Sequence, residues 1–132
     1  MAFLDAARSP RLLFAAATGF FADLFGMGDA YDYSERMHTT HSALLITALA
    51  ALLIVPAILN FGQRMTFRIP IAVWIGMAIP HTTVLAVEVS RDPTSHNLFP
   101  FEYILITAFT IPALSGSLAG GFAGRAWSRG NR

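Results

Sequence analysis

Residues 43–87 read ALLITALAALLIVPAILNFGQRMTFRIPIAVWIGMAIPHTTVLAV. Within them, 43–61 and 69–87 contain no Asp, Glu, Lys or Arg. A helix of about 20 apolar residues crosses the ~30 Å hydrocarbon core of a bilayer. The intervening GQRMTFR holds Arg64 and Arg68. The pattern reads as two membrane-crossing helices joined by a short basic turn. A connection that short favours antiparallel helices lying side by side.

The same reading extends outward to a first apolar segment at 12–27 and a fourth at 103–123. With 43–61 and 69–87, these predict an all-α integral membrane protein. Four transmembrane helices form an antiparallel bundle, one membrane domain over 1–132, with N- and C-termini cytoplasmic. Asp23 interrupts the first segment, so a tilted interfacial helix is the alternative there. An Arg-flanked apolar run near an N-terminus also resembles a secretory signal. Residues 22–30 offer no good small-x-small cleavage site, so the segment reads as retained.

Orientation follows from charge. Arg8, Arg11, Arg64, Arg68, Arg125, Arg129 and Arg132 flank one set of helix ends, opposed only by Asp5. The other set carries Asp29, Asp32, Glu35, Glu88, Asp92 and Glu102 against Arg36 and Arg91. Short Arg-rich loops stay cytoplasmic. Four spans satisfy that rule at both termini and the middle loop, whereas three would strand Arg8 and Arg11 outside.

Composition agrees. The chain is 55% hydrophobic and 13% charged, against about 25% charged in soluble domains. With no cysteine, disulfides, thiolate metal sites and c-type haem attachment are excluded within the chain. The net charge of +1 and the lack of a basic, aromatic-interleaved surface leave no nucleic-acid partner. Short loops and an Arg-only basic set suggest a bacterial cytoplasmic (inner) membrane.

Asp23 and His81 are the ionisable residues deepest in the apolar segments, 12 and 13 residues beyond Arg11 and Arg68. At ~1.5 Å per residue both stand about 18–20 Å up, in the outer half of the bilayer. Ionisable groups at such depth usually face the bundle interior or water. They are candidates for a proton relay, for metal or haem ligation, or for hydrogen bonding to a quinone or pigment; the alternative is one buried interhelical hydrogen bond. Trp74, His81 and Glu88 repeat at heptad spacing and share a helix face, with Thr82 and Thr83 beside them. Asp23, His81 and Glu88 are the catalytic candidates, and His81 and Trp74 the cofactor-binding ones.

Met37, His38 and His41, with His96, form the best metal pattern, since imidazole suits Zn, Cu and Fe and thioether suits Cu(I). Two histidines without a third fixed ligand are nonetheless a poor signature. Bis-His haem needs two histidines at matching depth on different spans, and only His81 lies within one. No cofactor is required by the sequence; metal, haem, quinone or pigment remain open.

Helix four carries two small-residue ridges, Gly116, Gly120, Gly124 and Ala113, Ser117, Gly121. Small residues four apart let helix backbones approach closely, either within the chain or against another subunit, and the doubled ridge favours the latter. Interior prolines at 56, 80 and 112 predict kinks. Asn60 is placed to cap backbone or reach headgroups, and Asp92-Pro93-Thr94-Ser95 reads as a turn. Phe61, Phe67, Phe99, Phe101, Tyr103 and Trp127 suit interfacial belts.

The leading expectation is a non-catalytic accessory or structural subunit of a larger membrane complex. Its partners are the lipid bilayer and other transmembrane subunits, or a second copy, through helix four. One alternative is a metal- or haem/quinone-linked membrane redox protein with its site in the outer half; another is a small proton-coupled carrier acting as a dimer.

Overall fold

A computed structural model describes residues 9–27, 39–63, 67–94 and 99–131. They form four helical rods, and among them there is no strand. Rod one is α1 (Pro10–Ala22), extended by a π-helical turn at Asp23–Met27. Rods two and three are α2 (Thr39–Leu59) and α3 (Arg68–Arg91). Rod four is split into α4 (Phe99–Phe109) and α5 (Ile111–Gly130).

Local chemistry sets these boundaries. Pro10 occupies the first turn of α1, where a missing N–H costs nothing and φ is already helical. α2 ends in a turn in which Gly62 takes φ +70°, a left-handed conformation that glycine adopts without a Cβ penalty. Pro56 and Pro80 lie inside unbroken helices. Rod four breaks at Thr110, two residues before Pro112. Proline cannot bond the carbonyl four residues back and crowds it. At the break the Thr110 amide donates to the carbonyls of Ile106 and Thr107, and its hydroxyl donates to Thr107 O at 2.6 Å.

Two helices, Arg68–Arg91 and the combined Phe101–Gly130, are long and apolar enough to cross a membrane. Ala43–Leu59 is apolar but shorter, and α1 has 13 residues before its π turn. The fourth segment, expected over 103–123, is longer than that, at 30 residues.

Packing departs from the expectation that helices two and three are neighbours. α2 and α3 make few contacts; the closest pairs are α1 with α3, and α2 with α5. Glycines are the reason. A Cβ on Gly19 would overlap the Val73 carbonyl, and one on Gly76 the Ala16 carbonyl. On the other side, a Cβ on Gly116, Gly120 or Gly124 would overlap backbone atoms of Leu53, Ala57 or Gly62. These partners advance together along both chains, so α2 and α5 run parallel. The bundle therefore does not pack throughout as antiparallel neighbours: backbone proximity at glycine outweighs the short connection.

The core is built from small and medium side chains: Ala15, Ala22, Ala48, Leu52, Val73, Met77, Ile106 and Ala113. Larger aliphatic and aromatic residues point outward, among them Phe14, Phe21, Ile46, Ile58, Ile71 and Ile79. Charge and polarity are inside, at Asp23, Asn60, His81 and Ser117.

Candidate functional site

The ionisable groups of the interior are Asp23 and His81, with the partly buried Glu102 from a third rod. The π turn that ends rod one begins at Asp23, and such turns inside helices frequently mark functional positions. Asp23 is 4% exposed, and its Oδ1 has no hydrogen-bond partner. It lies close enough to His81 for the two charges to interact. His81, from the middle of α3, is 9% exposed. Its Nε2 stands 3.1 Å from Glu102 Oε2 in the first turn of α4. The Tyr103 ring meets the His81 ring edge-on, with centroids 5.6 Å apart.

Two further contacts extend this seam between α3 and α4. Thr82 Oγ1 and the Tyr103 hydroxyl are 2.7 Å apart. Trp74 Nε1 donates to Thr107 Oγ1 at 3.2 Å, and Thr107 Oγ1 in turn donates to Tyr103 O. Partners run in opposite directions along the two helices, so α3 and α4 are antiparallel.

The heptad stripe therefore divides. Trp74 and His81 both face α4, whereas Glu88 lies on the exposed end of α3. The Trp74 indole N–H is committed to Thr107. Thr83 donates to Ile79 O in its own helix and adds nothing to the seam.

Glu102 was not among the sequence candidates. Counted along a straight rod from Arg125, it stands about 35 Å up, far above His81, and the break at Thr110 lies between. The usable signal was different: Tyr103, Thr107 and Thr110 place hydroxyls at i, i+4 and i+7 beside Glu102, one polar face on an otherwise apolar helix.

Asn60 is fully buried, and Nδ2 donates to Ser117 O on α5 at 2.7 Å. It reaches neither headgroups nor its own helix end, but locks α2 to the parallel helix beside it. Ala113, Gly116, Ser117, Gly120, Gly121 and Gly124 are all buried. The ridge Gly116–Gly120–Gly124 is filled by α2 of the same chain, so it is not a surface left open to another subunit.

Met37, His38 and His96 of the metal pattern lie outside the described residues; His41 is in the first turn of α2, its side chain likewise outside them. Among the described residues, no three His, Asp or Glu groups converge as metal ligands. What the site offers is an imidazole in contact with the Glu102 carboxylate and within electrostatic reach of a second, buried one, Asp23. Such an arrangement can hold and pass protons. No family model matches the chain, and no curated protein and no solved structure is significantly similar to it.

Proposed function

We propose that this is an integral membrane protein of four spans with both termini cytoplasmic, serving as a non-catalytic subunit of a larger membrane complex. The observation that carries the membrane reading is the inverted surface. Large aliphatic side chains recur outward along α3 at Ile71, Ile75 and Ile79, while the interior holds glycine, alanine and the buried polar groups. Soluble monomers rarely expose large contiguous apolar patches. In lipid, close contact between small residues replaces the hydrophobic effect as the force between helices. Short loops and Arg-only basic residues suit a bacterial cytoplasmic membrane, with the Arg-rich end inside.

The subunit role rests on the small extramembrane mass and on the outward aromatic face of α1. Phe21 and Phe25 stack there with centroids 5.9 Å apart. With α5 occupied by α2, this face and the isoleucine stripe of α3 are the surfaces that neighbouring helices would meet. A proton-coupled carrier is the second reading, favoured by the unpartnered Oδ1 of Asp23.

The absence of native cysteine makes the topology directly testable. Ser90→Cys at the outer end of α3 is expected to react with a membrane-impermeant maleimide in intact cells, and Ser128→Cys near the end of α5 only after permeabilisation. Equal labelling, or release of the protein by alkaline carbonate, would sink the membrane reading. Purification in mild detergent tests the role: a monodisperse monomer with no co-purifying chain rejects the subunit.

A further inference from the structure

Asp23 confronts the fold with an unsolved polar group. A buried carboxylate oxygen without a donor has lost its bonds to water and gained nothing in return. A proton, a ligand's donor group or a metal could satisfy it. Among the described residues no metal-ligating group of three exists. α2 meets the π turn with Leu44 and Ala48, neither of which can donate from its side chain. A proton needs no cavity, and His81 lies near enough for its charge to act on the Asp23 carboxylate.

We propose that Asp23, His81 and Glu102 form a proton-binding site within the bundle, holding one dissociable proton that exchanges with the outer solution through Glu102. Glu102 is the entrance because its side chain is 14% exposed, against 4% for Asp23. A proton arriving on the Glu102 carboxylate crosses the 3.1 Å contact to His81 Nε2. Imidazole carries a proton on either ring nitrogen, so the imidazolium can release a proton to Asp23, whose carboxylate its charge reaches, and return to neutral. One proton enters, one carboxylate becomes a carboxylic acid, and no electron moves.

The surroundings limit what else could titrate. α1 supplies Asp23; α3 supplies His81, with Glu88 seven residues further on and Arg91 beyond it. α4 supplies Glu102 and Tyr103, whose hydroxyl is held by Thr82. Among the described side chains α2 supplies none, and the arginines of α5 lie towards its opposite end. The site depends on the packing of the bundle and not on the subunit role; that Glu102 opens on the outer side rests on the proposed topology.

Infrared difference spectroscopy of the full-length protein in detergent, titrated over about pH 4–9, reads protonated carboxyl groups directly. The expected result is one titrating carboxyl band, lost in Asp23→Asn and retained in Glu88→Gln. No titrating band, or a band that survives Asp23→Asn, overturns the site. Should Asp23→Asn fail to fold, Glu102→Gln interrogates the same site from its entrance. The band must then remain, with its midpoint moved by about one pH unit or more; an unmoved midpoint overturns the proposal.

Discussion

α2 against α5 and α3 against α4 are joined by opposite means. The first seam is backbone on backbone: Gly116, Gly120 and Gly124 leave no room for a single Cβ. One polar contact, Asn60 to Ser117 O, is buried within it. The second seam is side chain on side chain, through Trp74–Thr107, Thr82–Tyr103 and His81–Glu102, with far fewer close backbone approaches. A backbone seam has no rotamers with which to absorb change. A side-chain seam can re-form its bonds, and two of its members can exchange protons. Fixity and chemistry are thus assigned to different helix pairs, and rod four serves both, through α4 in one seam and α5 in the other.

The largest effect is expected where the seam is closest. In Gly120→Ala the new Cβ meets the carbonyl and Cα of Ala57, which no side-chain rotation can relieve. The helices must part, weakening the Gly116 and Gly124 contacts and the Asn60 bond together. A loss of about 3 kcal/mol is expected, the upper end for overpacking, measured by reversible unfolding in mixed micelles. Gly130→Ala, which meets nothing within 4 Å, should stay within about 0.5 kcal/mol of the parent. Equal effects at the two positions would show that the α2–α5 seam is not close-packed.

That seam was half legible in the sequence. Glycine at four-residue spacing announced a close helix contact, but spacing names no partner, and the doubled ridge pointed away from α2. The α1–α3 crossing went unread although its signal was present: Gly19 and Gly76 each lie eight residues beyond a flanking arginine, Arg11 and Arg68. Depth counting worked along straight rods, which is why Asp23 and His81 could be placed at one level. It failed for Glu102, whose contact with His81 is tertiary. Asn60 misled for a related reason. Its position at the end of α2 looked interfacial, and only the tertiary approach of α5 makes it internal. The Asp92 turn depends on neighbours two residues apart, and it was read correctly.

The side-chain seam should yield smaller and more divisible energies. Thr82→Val and Tyr103→Phe each remove one partner of the 2.7 Å contact. Interhelical hydrogen bonds in membrane proteins average about 0.6 kcal/mol in double-mutant cycles, and a coupling of that order is expected here. The two single variants should leave the unfolding transition cooperative, unlike a parting of the glycine seam. A coupling near zero would mean that the contact adds nothing, and a coupling of several kcal/mol would erase the difference between the two seams.

The smallest effect belongs to an exposed carboxylate, Asp92, held by hydrogen bonds within its own turn. After α3 ends, the Thr94 hydroxyl donates to Asp92 Oδ1 at 2.7 Å and the Thr94 amide donates to the same oxygen at 2.9 Å. The hydroxyl first, and the amide second, hold the Asp92 carboxyl below the usual carboxylate range. A depressed folded pKa contributes stability that is present above the unfolded value and lost as pH falls through the folded one. The acid-side loss is therefore confined to the turn, since solvent screens a fully exposed group. Thr94→Val removes the stronger donor and should raise the Asp92 midpoint in an NMR titration without moving the unfolding transition near neutral pH. A midpoint unchanged in Thr94→Val would show that hydrogen bonding does not set this carboxylate.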